Sequence, residues 1–406
     1  MKLTEYDFKI YNLRFSLASL LWFSLVCFGA LAKIRLGYSS IGNFLVYRNV
    51  FWHAIRQMNL YEYYPAENLG SYLYGPVFGI LVEPFALLPV NLGAFLWSVA
   101  NATILFFAVR KLPVSYRNQN IILFLGAIEM MTSIQNMQIN CIVAAWMILS
   151  FTFVKEGKDF WATLFIAIGF LLKLYGVVGI VFILFSNHKT KFALSFLFWV
   201  GILFCLPMII SSPSFIIHSY FDWYHALTAK NDLNATSFMQ NLSVMGMLRH
   251  LIKSQYLNLV VIFIAGWFYL FPLFRSNQLK NKYFQLSYLC FTLIGVVIFS
   301  SSAESPTYII AMMGVALWFV IQNPKDRLVL CLMAFALLIT SLSATDLFPR
   351  YIKVHLVQAY SLKALPCFVV WMLIATQLLK RNFNEQKVTD STDDLNPWLL
   401  KLKQLF

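Results

Sequence analysis

Long apolar runs alternate with short polar connectors along most of this chain. A membrane-crossing helix needs about 20 mostly apolar residues. The runs predict twelve helical segments: 15–32, 91–109, 120–134, 138–154, 160–172, 174–186, 192–211, 256–274, 284–302, 306–322, 328–345 and 362–379. Two of them, 160–172 and 174–186, are too short to cross alone and meet at Lys173. They predict either one helix with a buried lysine or two half-length helices that reverse at "KLYG".

Composition supports a membrane protein. Of the 406 residues, 60% are apolar and 12% are charged, whereas soluble domains carry about 25% charged residues. The formal net charge of +14 resides in the short connectors, as membrane topology requires, so we exclude nucleic acid as a partner. The six cysteines fall inside apolar runs without metal-site spacing, and we expect no metal and no cofactor. The fold class is therefore an all-α polytopic membrane protein.

Loop charges decide the topology. The segment 74–89 is short and contains three prolines, so we expect it not to cross. We combine this choice with a cytoplasmic N-terminus and a reversal at Lys173. Every connector on the cytoplasmic side is then basic, as the positive-inside bias predicts. The prediction is about 12 crossings in one transmembrane domain, 1–380, with a cytoplasmic tail, 381–406. The outer segments are 33–90, with interfacial helices, the long loop 212–255, and 345–361.

One acid interrupts the apolar pattern in "SSSAESPTYIIAMMGVALWF", residues 300–319. The topology puts Glu304 at the outer mouth of the bundle, near the start of a helix. The positive end of that helix favours an anion, and Pro306 suits its first turn. Glu304 is thus predicted either to face an outer cavity as a catalytic base, or to be only a helix-terminal anion.

Polar and aromatic side chains gather on the predicted outer face. Arg and Lys bind phosphate oxygens, aromatic rings pack on sugars, and a carboxylate can deprotonate a hydroxyl. Such a set suits a polar substrate attached to a lipid phosphate. The candidate binding residues are Asn43, Tyr47, Arg48, Gln135, Gln138, Lys173, His218, Trp223, Tyr308 and Arg350. The simpler alternatives are a snorkelling Lys173 and an Arg48 that binds lipid headgroups.

Several stretches, taken in order, resemble a known family. They are "NFLVYRNVFWHAIRQMNLYEYYPAENLGSYLYGPVFGILVEPFALLPVNLGAFLWSVANA", "QNMQIN", "GFLLKLYG" and "AESPTYIIA". Together they resemble glycosyltransferase family 87, the DUF2029 group. The resemblance implies a GT-C-like helical bundle that takes a sugar, usually mannose, from a polyprenyl phosphate. The acceptor is a lipid-linked or cell-envelope glycan, and activity faces the periplasm at a bacterial inner membrane.

The chain departs from this family at one position. The resemblance implies a catalytic aspartate near the start of the first outer loop, but Asn43 occupies the matching position, and an amide cannot accept a proton. Among the other outer acids we expect Glu304 to be the base, because a helix fixes its geometry. Arg48, Lys173 or Arg350 would stabilise the departing phosphate. The prenyl chain would lie in a groove beside 74–89.

Three functions remain open from the sequence. The leading prediction is an integral membrane glycosyltransferase with a polyprenyl-phosphate sugar donor. A transporter or flippase of a lipid-linked saccharide is the alternative from another class, although it typically needs ionisable groups along the path and an internal repeat. The third function is that of a catalytically inactive glycan-binding relative, which Asn43 keeps open.

Overall fold

The computed structural model describes residues 7–10, 13–67, 70–234, 241–249, 252, 257–322 and 326–385. Much of the predicted tail 381–406 and parts of 212–255 lie outside these residues. The described chain starts with an antiparallel hairpin of β1, Asp7–Ile10, and β2, Leu13–Ser16.

The remaining described elements are helical. The α-helices are α1 Leu17–Arg35, α2 Gly42–Arg56, α3 Phe78–Ala86, α4 Val90–Arg110, α5 Tyr116–Gln135, α6 Asn140–Lys155, α7 Asp159–Lys173, α8 Lys189–Cys205, α9 Pro213–Asn234, α10 Val244–Arg249, α11 Leu257–Leu270, α12 Lys282–Ile298, α13 Tyr308–Ile321, α14 Arg327–Phe335, α15 Arg350–Ile352 and α16 Leu365–Lys380. Short 3-10 segments are Tyr38–Ile41, Tyr175–Phe185, Leu206–Ile209, Phe271–Phe274, Ser305–Thr307, Leu342–Ala344, Leu362–Ala364 and Phe383–Glu385, and π-helical segments are Ala336–Ser341 and Lys353–Gln358.

Helices occupy most of each predicted apolar segment, so the helical fold class is confirmed. Five continuous helical stretches in the described chain are long and apolar enough to cross a membrane, by length and composition. They are Leu17–Arg35, Val90–Arg110, Lys189–Ile209, Arg327–Ala344 and Leu362–Lys380. The other apolar helices are shorter, and the number of about 12 crossings stays a prediction.

Helix α13 forms the centre of the bundle. Its residues from Tyr308 to Trp318 are all buried, and it packs against α5, α6 and α12. A helix that is apolar all round belongs in an interior. Helix α11 is the opposite case, because Phe263 and Trp267 expose 76% and 59% of their surface. The segment that leads into α13, 304–307, is therefore fixed to the best-packed part of the molecule.

The chain reverses immediately after Lys173, which confirms one of the two alternatives from the sequence. Leu174 has a left-handed backbone, with φ of 59°, and the 3-10 segment then runs back along α7. Gly176 allows this close approach, since a Cβ there would lie 2.4 Å from the Ile166 carbonyl oxygen. At the far end Ser186 donates a hydrogen bond to Asp159, over 2.9 Å.

The first outer segment docks on this reversal. Gly75 donates its N–H to the carbonyl of Leu172, over 3.1 Å, and thereby satisfies an end carbonyl of α7. The following helix α3 has nine residues with Pro84 inside, which gives a length of about 14 Å. Because the hydrocarbon core is about 30 Å thick, this length supports the prediction that 74–89 does not cross.

Candidate functional site

A cavity of about 1070 Å³ lies where the first outer segment, the turn after α5, the reversal at Lys173 and the lead-in to α13 meet. The lining of the cavity contains both polar and apolar residues. Its polar lining includes Asn43, Tyr47, Tyr74, Asn136, Gln138, Lys173, Tyr175, Lys230, Asn231, Ser300, Ser301, Ser302 and Glu304. The predicted catalytic residue Glu304 and four predicted binding residues therefore share one cavity.

A row of hydrogen bonds joins the lysine of this cavity to its carboxylate. Lys173 Nζ donates to Oδ1 of Asn140 over 2.8 Å. Nδ2 of Asn140 donates to Oε1 of Gln138 over 2.5 Å. Nε2 of Gln138 donates to Oε2 of Glu304 over 2.8 Å. Two opposite charges are thus linked through two neutral amides.

The turn that carries Gln138 is held from two sides. The motif "QNMQIN" passes from α5 to α6 through Met137, whose φ is 52°. Nδ2 of Asn43 donates to the Asn136 carbonyl over 2.8 Å, and Nε1 of Trp97 donates to the Met137 carbonyl over 2.9 Å. The amide at position 43 is therefore a structural donor in this site.

Glu304 stands at the start of the 3-10 segment Ser305–Thr307, which continues directly into α13. Its backbone N–H donates to Oγ1 of Thr307 over 3.4 Å, and its side chain is half-buried. The positive end of the helix favours the ionised carboxylate. The sequence left two alternatives for Glu304, a helix-terminal anion or a residue that faces the cavity. In the structure Glu304 is both.

Aromatic rings surround Lys173. Its Nζ lies 4.9 Å from the ring centre of Tyr175 and 5.8 Å from that of Tyr74, within cation–π range. Burial lowers the pKa of Lys173 to about 8, and the Glu304 carboxylate opposes this shift. The hydroxyls of Tyr47 and Tyr74 lie 3.1 Å apart, and burial raises the pKa of both. Both tyrosines therefore stay protonated at neutral pH.

Another part of the polar lining is rich in hydroxyl and amide groups. The end of α9 contributes Lys230 and Asn231, and Ser301 Oγ donates to Oδ1 of Asn231 over 2.8 Å. Asn234 in turn donates to Ser302 Oγ over 2.9 Å. Sequence reasoning did not assign Lys230 or the three serines to the site. The run of serines before Glu304 was a signal for the three serines, whereas Lys230 carries no comparable local signal.

A second group of lining residues is apolar, and we call this part of the cavity the apolar arm. It is lined by Val177, Val178, Ile262, Ala265, Gly266, Val296, Phe299 and Trp371. These residues come from the 3-10 segment after α7, from α11 and α12, and from α16. Within the segment 74–89, Tyr74 lines this cavity. The predicted position of the prenyl chain in a groove beside 74–89 stays a prediction.

A buried ion pair lies behind the carboxylate. Nζ of Lys363 is 2.8 Å from Oε1 of Glu129 and 2.7 Å from the hydroxyl of Ser305, the residue next to Glu304. Only 3% of the Lys363 side chain and none of the Glu129 side chain is exposed. Sequence reasoning noted Glu129 at membrane depth but missed Lys363, because a lone lysine in "SLKALP" carries no local signal.

The other predicted binding residues, all in the described part of the chain, do not line the cavity: Arg48, Gln135, His218, Trp223, Tyr308 and Arg350. The indole of Trp223 is buried and donates to the Leu73 carbonyl over 3.0 Å, so it supports the loop beside the cavity. Tyr308 is buried in the core and donates to the Leu242 carbonyl. The side chain of His218 is 76% exposed.

Apart from Glu304, the polar side chains of the lining carry hydroxyl, amide and ammonium groups, which do not make up a typical set of metal ligands. Within the described residues, no group of three or more His, Cys, Asp or Glu side chains is arranged to hold a metal ion. The polar lining can therefore be described through its own chemistry: one carboxylate, two lysines and neutral donors in the same cavity as the apolar arm.

Comparison with known proteins identifies the family. The model of glycosyltransferase family 87 matches residues 72–301, which is more than half of the chain. This region contains the loop before α3, the "QNMQIN" turn, the reversal at Lys173, and Ser300 and Ser301 of the cavity. No curated protein matches the chain. The chain belongs to glycosyltransferase family 87.

Proposed function

We propose that this glycosyltransferase takes a sugar, mannose in the first instance, from a polyprenyl-phosphate donor. The acceptor is a hydroxyl of a lipid-linked or cell-envelope glycan. The supporting observation is a single cavity that joins a carboxylate and two lysines to an apolar arm. A lipid-phosphate sugar combines the same features: a polar sugar, an anionic phosphate and an apolar chain. The apolar arm between the 3-10 segment, α11 and α12 is the proposed position of the first prenyl units.

The proposed reaction is a direct displacement at the anomeric carbon. Glu304 removes the proton of the acceptor hydroxyl as general base, and the acceptor oxygen bonds to the anomeric carbon. The bond from that carbon to the phosphate oxygen breaks, and the polyprenyl phosphate leaves with the electron pair. Lys173 and Lys230 stabilise the negative charge that develops on the phosphate.

The proposed topology puts this cavity on the outer side. About 12 crossings with both termini inside keep the basic connectors cytoplasmic and leave Glu304 at the periplasmic face of a bacterial inner membrane. The apolar surface of α11, with Phe263 and Trp267 exposed, suits contact with lipid beside the arm. A prenyl chain could then reach the cavity from the membrane.

A transfer assay tests the proposed function. Purified protein is incubated with a radiolabelled polyprenyl-phosphate mannose and a bacterial lipid extract, and labelled glycolipid is the expected product. The Glu304→Gln variant should lose about 10²- to 10⁴-fold in kcat, the usual contribution of a general base. The Glu83→Gln variant is the matched control, because this glutamate of α3 does not line the cavity.

The other outcomes identify the alternative functions. Movement of the labelled donor across a vesicle bilayer without transfer would identify a flippase, and binding without either activity would identify an inactive relative. Full activity of Glu304→Gln would remove the base assignment and leave the transferase class standing.

A further inference from the structure

The row from Lys173 to Glu304 has a direction that its two charged ends impose. A lysine ammonium can only donate hydrogen bonds, and an ionised carboxylate can only accept them. Asn140 therefore turns its oxygen to Lys173, over 2.8 Å, and Gln138 turns its nitrogen to Glu304, over 2.8 Å. Reversing either amide would set two donors or two acceptors against each other.

Asn140, one of the two amides in the middle of the row, is shielded from water. None of the Asn140 surface is exposed, and the turn that carries Gln138 is fixed by Asn43 and Trp97. Hydrogen bonds in such a setting are stronger, and bonds in series polarise one another. The bond to Glu304 also involves an ionised acceptor, which strengthens it further. The carboxylate is therefore held by a built network rather than by one adaptable contact.

We infer that Gln138 and Asn140 are positioning residues for the Glu304 carboxylate, an inference that rests on the proposed function because it takes Glu304 as the base. Gln138 occupies Oε2 and fixes the rotamer, so that Oε1 receives the proton of the acceptor hydroxyl. Asn140 orients Gln138 and is itself oriented by Lys173. The lysine beside the leaving phosphate and the base beside the acceptor are thereby kept at a constant separation.

The test is a double-mutant cycle in the transfer assay. Gln138→Leu removes the donor at similar side-chain volume. We expect kcat to fall about 100-fold, because a misplacement of about 1 Å costs that much, while KM for the donor and the unfolding temperature stay near the wild-type values. In the Glu304→Gln background the same change should cost nothing more, since Gln138 acts through Glu304. Losses that multiply in the double variant would overturn the inference.

Further variants separate positioning from general damage. Gln138→Glu keeps the size and polarity but cannot donate when ionised, so it should lose at least as much kcat as Gln138→Leu. Asn140→Asp still accepts from Lys173 but gives no hydrogen to Gln138, and we expect about a 10-fold loss because it acts one bond further away. These two variants decide the question if Gln138→Leu fails to fold.

The control is Ser98→Ala on α4. The Ser98 hydroxyl donates a hydrogen bond to the Met137 sulfur over 3.2 Å. The substitution perturbs the same turn without touching the row, and kcat should stay at the wild-type value. An inactive Glu304→Gln together with fully active Gln138 variants would overturn the positioning role alone. A fully active Glu304→Gln would overturn the base assignment and the positioning role with it.

Discussion

An amide occupies position 43, where the resemblance to family 87 implies a carboxylate. In the structure this amide donates to the Asn136 carbonyl over 2.8 Å, a bond that an ionised aspartate cannot make. Asn43 thus belongs to the support of the turn that carries Gln138. The proton-accepting role is open to Glu304, which lines the same cavity.

Restoring the family's residue should therefore reduce activity. Asn43→Asp would set a carboxylate against the Asn136 carbonyl oxygen, and neither group can donate the hydrogen bond that holds the turn. We expect a loss of roughly 10-fold in transfer rate, measured beside Asn49→Asp on the same helix as control. A gain in rate would instead indicate that position 43 is the site of the base and that the natural chain lacks it.

We predict that the loss of the Lys173 charge lowers transfer activity at alkaline pH. It lies in the break between two apolar segments, and burial lowers its pKa to about 8. The lysine is charged below that pH and neutral above it, so kcat/KM for the donor should fall as pH rises through about 8. An arginine stays charged over this range. Lys173→Arg should remove the decline, and an unchanged profile would show that another group causes it.

At the scale of elements, the reversal after α7 and the loop before α3 build one corner of the cavity together. The loop packs so closely that a Cβ on Gly75 would lie 1.8 Å from the Leu171 carbonyl oxygen. Leu171 belongs to α7, so neither backbone can move without shifting Lys173. This contact explains why the last residue of "YLYG" before α3 is a glycine.

Gly75→Ala should disturb both stability and activity. Forcing an extra carbon into a packed site costs about 1–3 kcal/mol, so we expect a lower unfolding temperature in detergent and a loss of transfer. Gly201→Ala on α8 is the matched control, because a Cβ there meets no atom within 4 Å. Equal unfolding temperatures for the two variants would contradict the tight docking of this loop.

At the scale of the whole molecule, the apolar arm exists only because distant helices leave a gap. Its lining combines the 3-10 segment after α7 with α11, α12 and Trp371 of α16. Gly266 on α11 faces this space, and a Cβ there would touch no atom within 4 Å. The arm is therefore open to a bound chain at the position of this glycine.

Filling the arm should affect donors according to chain length. Gly266→Leu would displace about two methylene groups of a bound prenyl chain, each worth about 0.8 kcal/mol. We expect KM for a long-chain donor to rise about 10-fold, while a short-chain analogue keeps its KM. Gly201→Leu, away from the cavity, serves as control. Equal effects on both donors would place the prenyl chain outside this arm.

Local sequence determined much of this protein. Apolar runs predicted the helices, the basic connectors favoured a reversal at "KLYG" over one continuous helix, and "ESP" predicted an acid at a helix start. All three depend on residues within a few positions of one another, where helix geometry and helix-end rules act. The resemblance to family 87 added the chemistry, and Glu304, Gln138 and Lys173 were named before their contacts were visible.

The tertiary structure alone decided which groups meet. Gln138 reaches a carboxylate 166 positions away, and Lys363 finds Glu129 across 234 positions. The apolar arm likewise combines residues of α11, α12 and α16 that are far apart in the sequence. The pattern of apolar residues indicates which side of a helix is buried, but it does not indicate which other helix packs against that side. The packing of side chains from distant helices settles those neighbours, and with them the shape of the cavity.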